Sequence, residues 1–542
     1  VATGLITAFV ALGIAQLVAG ITGPQGSPVV AVGGAAIDSA PAPVKNFAIS
    51  AFGSHDKTVL VAGILVVLAV FAALIGVAAL RRLRLGLAGL AVFTLIGLLA
   101  VWTRPDASAV NLLPVLLGAA AGAFTMVRLV RAAETAERAT PVAPGPSTAR
   151  APLASSDRSP RAYPLGDSAA PAAATGLPHP LAAPQPWPGR RRFLIIGSVA
   201  VGVAGVSTLA GQRLGQPSSA VVRARATLHL PAPARRAPRL PAGSDLDISG
   251  LSPFVTPNAE FYRVDTALIL PEVDPGNWQL RIHGMVDREV TVTFADLLRL
   301  PLIEHYITLC CVSNPVAGPY IGNARWLGAS LASLLRSAGI RSGADQLLCT
   351  SVDGFTSGTP VQVVMDGRDA LLAVAMNGTP LPVAHGFPAR MVVPGLYGYV
   401  SATKWVTDIN VTTFADAQGY WIPRGWSQRA PIKTESRIDV PNGSAALRAG
   451  RNQVAGVAWA QHKGIDAVEV RVDGGQWHQA RLAAVPGIDT WRQWVWDWDA
   501  RPGDHLIEAR ATDATGYTQT PIPAPPEPSG ATGYPMVTVS VQ

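Results

Sequence analysis

Five apolar runs set the terms on which this chain can fold. Crossing the hydrocarbon of a bilayer as a helix takes roughly 20 mostly apolar residues, because a helix rises about 1.5 Å per residue through about 30 Å of lipid tails. Val1 to Ile21, Val59 to Leu80, Leu85 to Thr103 and Ala109 to Val127 meet that requirement in quick succession, and a fifth run follows from Phe193 to Ala210. Composition agrees: 49% of the residues are hydrophobic and only 14% are Asp, Glu, Lys or Arg, about half the charge of a soluble domain. At 542 residues the chain is too long for one core, so folded domains must accompany the membrane region. It begins on Val1 rather than Met, and its natural start is expected further upstream.

Short basic loops orient the runs. Arg81, Arg82 and Arg84 separate the second and third, and Arg128, Arg131 and Arg138 follow the fourth; both clusters belong in the cytoplasm. The loop Thr22 to Lys57 and the turn Arg104 to Ser108 then face outward. The net charge of +8 comes largely from such flanking arginines, so no nucleic-acid partner is expected. Residues 132–189 are dominated by Ala, Pro, Ser and Arg and read as a disordered cytoplasmic tether. The fifth run opens on Arg190-Arg191-Arg192-Phe193-Leu194. This is either a positively flanked anchor or, as the paired Arg, spacer, Phe and Leu suggest, a twin-arginine export signal. An odd number of spans puts everything after Gly211 outside. His55 and His179 lie in loops and the spans contain no His, Asp, Glu or Lys, so neither haem ligation nor a proton path is expected there. The bundle reads as an anchor in the lipid bilayer.

Beyond a Pro-rich stretch from Gln216 to Ala242, the pattern becomes that of an α+β domain. Strand patterns cover Trp278 to Val286 and Tyr306 to Leu309, helix patterns cover Phe294 to Leu300 and Ser330 to Ser337, and Asp353-Gly354, Asp366-Gly367 and Asn377-Gly378 mark turns. The chain has three cysteines, Cys310, Cys311 and Cys349, too few for a multi-bridge framework. A cysteine pair at a strand end is often only packing. Here it opens a loop with Asn314, Gly318, Gly322 and Asn323, which suits backbone approaching a bulky ligand, and thiolate suits a sulfur-coordinated metal.

The segment TLCCVSNPVAGPYIGNARW, Thr308 to Trp326, resembles the cofactor loop of the sulfite oxidase family of molybdopterin enzymes, in which Cys-x-x-Asn supplies a thiolate to molybdenum. The resemblance makes Cys311 the metal ligand and places Asn314 and Arg325 at the cofactor. A second block, His385-Gly386-Phe387-Pro388-Ala389-Arg390 with Lys404-Trp405, is similar to the family's pterin-binding stretch and implies that His385, Arg390 and Lys404 contact the pterin and its phosphate. Phe261-Tyr262-Arg263 followed by Trp278 to Gly284 resembles the family's entry strand, whose Arg, here Arg263, contributes to the site. The tail, with strand patterns at Gln453 to Trp459, Ala467 to Val472, Trp491 to Trp498 and His505 to Thr512, looks like the immunoglobulin-like domain through which such enzymes dimerise.

The resemblance implies two-electron oxygen-atom transfer on a small substrate, with Cys311, Arg263 and Trp426 as catalytic positions. Two departures bear on the substrate. Pro315 and Val316 stand where animal and plant sulfite oxidases carry arginines, and Trp426 stands near the position of their active-site Tyr, so a neutral sulfoxide competes with sulfite. Arg424 or Arg429 would restore positive charge. No haem or iron–sulfur motif is visible, which calls for a separate electron partner, a quinone or a cytochrome. The expected organisation is a four-helix transmembrane region (1–131), a linker (132–189), a signal anchor and fifth span (190–211), a Pro-rich linker (212–244), a molybdopterin-binding oxidoreductase domain (245–432) and an immunoglobulin-like dimerisation domain (433–542). The competing class is a metal-free, membrane-tethered binding or adhesion module.

Overall fold

The computed structural model describes residues 1–41, 44, 56–104, 108–138, 188–214, 219–443 and 445–542. Most of the expected linker, with His179, lies outside the described residues, as does His55. The described chain divides into two compact units, one made of Val1–Val18, Leu65–Ile96 and Pro114–Gly211, the other of Ala19–Ile64, Gly97–Leu113 and Gln212–Gln542.

Among the described residues, five helices are long and apolar enough to cross a membrane. They are Ala2–Thr22, Asp56–Arg81, Leu83–Trp102, Leu113–Arg138 and Pro188–Leu214. Arg190 and Arg191 fall in the first turn of the last. Within the helical unit, several glycines sit against neighbouring backbone, beside a cluster of Ala79, Met126 and Val130. A β carbon on Gly4 would strike the Ala72 backbone, one on Gly13 would come within 2.7 Å of the Ala204 carbonyl oxygen, and one on Gly118 within 2.5 Å of that of Ala11. Small residues let helices approach backbone to backbone. Thr7 and Thr125 donate their hydroxyls to the carbonyls of Thr3 and Ala121, both at 2.8 Å, which satisfies them inside the helix.

The second unit contains a helix, Pro28–Ser39, with proline in its first turn, in a stretch expected only as a loop. Its main body opens with β1 (Gln279–Gly284), β2 (Val290–Thr293), β3 (Leu302–Cys310), β4 (Ile321–Ser330), β5 (Gln346–Ser351), β6 (Thr356–Pro360), β7 (Leu371–Met376), β8 (Thr379–Pro380), β9 (Arg390–Val392) and β10 (Val406–Thr412). One sheet runs β2-β1-β10-β5-β6, with β1 and β10 parallel; the other runs β3-β4-β7-β8, with β9 also paired to β7. Leu280 and Ile282 point inward from β1 on alternate positions, whereas every residue of β7 is buried. Helix Leu331–Ala338 is fixed at both ends, by the Ser330 hydroxyl accepting from Ser333 N and by left-handed Gly339, and it buries Leu331, Leu334 and Leu335 against the sheets.

Of the block expected as the opening strand, Gln279–Gly284 forms β1, while Phe261-Tyr262-Arg263 is not strand. Pro257 starts a turn whose carbonyl accepts from both Glu260 N and Phe261 N, and that local bonding occupies the backbone a strand would need.

Residues beyond 433 make a second pair of sheets from β11 (Glu435–Val440), β12 (Ala446–Leu447), β13 (Gly450–Trp459), β14 (Ile465–Val472), β15 (His478–Gln479), β16 (Arg481–Leu482), β17 (Arg492–Ala500), β18 (Gly503–Asp513) and β19 (Met536–Val541). Their orders are β11-β13-β17-β16 and β12-β19-β18-β14-β15. Val454 and Trp494 from one sheet share a core with Val468, Ile507 and Val539 from the other, so the sheets pack face to face.

Candidate active site

β3 delivers Cys311 at its end. Cys310 still pairs with Ile321 of β4, and Cys311 N donates to Tyr320 O at 2.9 Å, so the loop between the strands starts and finishes on one bond. Asn314 braces it from within. Its side-chain carbonyl accepts from Tyr320 N at 2.8 Å, and its backbone N donates to Cys311 O at 3.1 Å. The other half of that amide, Nδ2, is buried and has no hydrogen-bond partner. A buried N–H left unmatched costs about 1–3 kcal/mol, which a ligand bonded there would recover.

The adjacent cysteines have separate environments, and all three cysteines are free. Cys310 is fully buried in the core. Cys311 is half-buried, with Sγ 2.9 Å from Ser313 Oγ. Burial raises its thiol pKa, against the pull of the Ser313 hydrogen bonds and of Lys404. Tyr262 feels Cys311, Cys310 and Arg390 together, and burial foremost raises its phenol well above the ordinary value.

The second block folds beside this loop. Gly386, at φ 105°, turns the chain left-handed; a β carbon there would lie 3.0 Å from that of Arg390 and 3.1 Å from that of Lys404, so only glycine lets the two cations draw in. Arg390 is 5% exposed and donates only to carbonyls, those of His385 and Ala402 at 3.2 Å and Met391 at 3.4 Å. Its guanidinium lies 5.1 Å from the Trp326 ring centre. No carboxylate among the described residues pairs with it. Burial lowers its pKa to about 10. Lys404, also buried, donates to Asp265 Oδ2 at 2.6 Å, and burial lowers it to about 8 despite that partner. Burial, reinforced by Arg390 and Lys404, brings His385 down to about 4, so it is neutral at physiological pH.

Asp265 is the residue that sequence reasoning missed. It also takes two hydrogen bonds from Arg263, at 2.7 and 3.2 Å, and so ties Arg263 to Lys404. Arg263 thus joins the cationic group. Two other expected residues do not. Arg325 neighbours Trp326 on β4 but faces the opposite side of the strand, with Nε 3.6 Å from Glu304. Trp426 sits in an aromatic cluster with Tyr399 and Trp421, ring centres 5.9 and 6.3 Å apart. Arg424 and Arg429, expected as reserve charge, lie 3.7 and 5.7 Å from the ring centres of Tyr420 and Phe414.

A thiol and an unmatched amide on one loop, beside a buried guanidinium without a counter-ion, suit a large anionic cofactor with a soft-ligand metal. Residues 267–421 match the oxidoreductase molybdopterin binding domain. This defines the class, a molybdopterin-binding oxidoreductase. The chain is 31% identical to the sulfite oxidase of Gallus gallus over 324 residues, covering 50% of this chain and 69% of that protein. It is 29% identical to the mitochondrial sulfite oxidase of Mus musculus, over 45% of this chain and 52% of that one, and so spans about half the length of that relative. The sulfane dehydrogenase SoxCD of Paracoccus pantotrophus aligns in three dimensions at 26% identity and a TM-score of 0.44, over 49% of this chain and 74% of that one. The chain belongs to the sulfite oxidase family, and it is an enzyme rather than a metal-free module.

Proposed function

We propose that this chain is a membrane-anchored, extracytoplasmic enzyme that carries molybdenum on Cys311 and transfers an oxygen atom to or from sulfite or a small sulfoxide. The observation that carries the reading is the buried Arg390 guanidinium beside the Cys311 loop, which no carboxylate among the described residues pairs: with only carbonyls and the Trp326 ring as partners, its charge is left for an anion supplied from elsewhere. The molybdopterin cofactor, when bound, supplies two-electron oxygen-atom chemistry. The chain's own residues bind and orient. Cys311 would hold the metal, and Asn314 Nδ2 would complete its hydrogen bonding on the cofactor. Arg390 and Lys404 would take its phosphate, with Asp265 sharing Lys404 and Arg263. His385, neutral in this setting, gives its one ring N–H to the Asn258 carbonyl at 3.3 Å and would present its other ring nitrogen to the cofactor as an acceptor, without adding charge.

The finer parts of the reading rest on sequence. The five apolar helices and the arginine loops support an anchor with the catalytic domain outside, and the Arg190-Arg191 pair supports export of that domain already folded. The domain limits are those expected above. Two sheets on a common core support an immunoglobulin-like C-terminal domain and, with it, a homodimer. Pro315 and Val316 in place of arginines suit a neutral substrate as well as sulfite. Electrons would pass to or from a quinone or cytochrome.

The test is molybdenum analysis by mass spectrometry, with pterin fluorescence after acid oxidation, on the protein from a cofactor-competent host and on Cys311→Ser. The expected result is near one molybdenum and one pterin per parent chain, with turnover abolished in the variant. A parent without either would sink the proposal. Turnover with sulfite as donor and methionine sulfoxide as acceptor then separates the substrates.

A further inference from the structure

β3 is an outer strand of its sheet: one edge pairs with β4 and the other is open to different partners. Near its start that edge is closed by Ala234 and Arg235, through Ala234 N to Leu302 O and Glu304 N to Arg235 O, both at 2.8 Å. Nearer Cys311 it is closed by the C-terminal region. Thr308 N donates to Asp489 O at 2.9 Å, Thr308 O accepts from Gln461 Nε2 at 3.2 Å, and the Thr308 hydroxyl accepts from Trp491 N at 2.8 Å. The same hydroxyl donates to Asn323 Oδ1 on β4 at 3.0 Å. Trp491 Nε1 and Asn323 Nδ2 both donate to Phe254 O, at 2.9 and 2.8 Å. The Asp489 carboxylate lies between His462 Nδ1 at 3.1 Å and His305 Nε2 at 3.3 Å.

Thr308, Asn323, Gln461 and Trp491 are all at most 2% exposed, so water cannot replace any of these bonds. A buried polar network of this kind fixes one arrangement, because each lost bond strands its partner in a low-dielectric interior. Thr308 is three residues before Cys311, and strand register decides which way each following side chain faces. Ordinary packing of two domains needs apolar contact alone; here the backbone N, the carbonyl and the hydroxyl of one residue are all claimed by the C-terminal region.

We infer that Thr308 and Gln461, with the turn leading into Trp491, are positioning residues: the C-terminal region sets the direction in which the Cys311 thiolate is presented. The inference rests on Cys311 being the molybdenum ligand. The test uses the full chain from a cofactor-competent host. Thr308→Val keeps the shape and removes the hydroxyl, Gln461→Met keeps the length and removes the N–H, and Thr308→Ser retains the hydroxyl. The first two are expected to shift the thiolate-to-molybdenum absorption and to lower kcat roughly ten- to a hundredfold with little change in KM, while Thr308→Ser matches the parent. Loss of molybdenum from folded Thr308→Val with retention in Thr308→Ser supports the inference equally. Parental absorption and kcat in both Val and Met variants would overturn it, leaving the network a packing device; should Thr308→Val not fold, Gln461→Met decides alone. A parent without molybdenum refutes the proposed function instead. Positioning is then read from the rate at which Cys311 reacts with an aromatic disulfide reagent: a severalfold change in Gln461→Met supports it, and an unchanged rate overturns it.

Discussion

The two β-rich regions of this chain place their charges differently. In the C-terminal sheets, Arg471 and Arg510 lie directly across from Glu508 and Glu469 on β14 and β18, at 2.6 and 2.8 Å, and share the Trp477 ring at 4.5 and 4.3 Å. These pairs flank a sandwich core of Val, Ile, Ala and Trp. In the preceding domain a guanidinium, an imidazole and an ammonium are buried within 20 residues of one another, and Arg390 hydrogen-bonds only carbonyls and lies over the Trp326 ring, with no carboxylate partner among the described residues. The arginines of the C-terminal sheets meet carboxylates across a strand pair, whereas the arginine beside the candidate cofactor loop meets none among the described residues.

The largest test of that contrast exchanges the arginines. Arg390→Met is expected to cut the molybdenum and pterin that co-purify by well over tenfold, since removing one side of a buried charged contact costs about 2–5 kcal/mol; Arg510→Met should leave both unchanged. Equal effects would break the contrast. Next, Ile507→Ala in the C-terminal core is expected to destabilise the domain by about 2–5 kcal/mol, measured as a lower urea midpoint, with molybdenum per folded chain held.

The smallest effect sharpens the comparison within the C-terminal region. Asp513 and Glu435 are both buried there. Burial would raise Asp513, but hydrogen bonds from Thr434, Thr515 and Lys463 hold it down at about 2. In Glu435, burial wins over Lys433 and Trp459 and pushes the carboxyl from 4.5 to about 8, and its Oε1 has no hydrogen-bond partner. Between those values the folded chain holds a proton on Glu435 that the unfolded chain releases, so the Glu435 contribution to stability is fully present below about pH 4.5 and declines towards pH 8. Glu435→Gln should flatten that part of the pH–Tm curve, raising Tm at pH 8 and not at pH 4.5. An unchanged slope would assign the decline to other groups.

What the sequence showed and what it hid divide along the range of the interactions. Cys311 and Asn314 act within one loop, and their spacing is itself the signal. Asp265 bonds Lys404 from 139 residues away, and nothing local marks a carboxylate as the bridge between two cations. The strand patterns of β1, β13, β14 and β18 alternate or run apolar between clear turns. β7 is buried on both faces and therefore lacks alternation. Helix Pro28–Ser39 is too short to span a bilayer, so a reading by span length passes over it. Arg325 illustrates a different limit: adjacency to Trp326 in sequence put it on the opposite face of the same strand.

The glycine contacts of the helical unit also constrain inheritance. Every amino-acid replacement reachable from a glycine codon by one base change carries a β carbon. At Gly4, Gly13 and Gly118 that carbon would land on a neighbouring backbone, so no gradual series of substitutions leads away from these positions. The bundle's sequence can drift on its outward-facing side chains, while its lines of contact can change only by moving two helices at once.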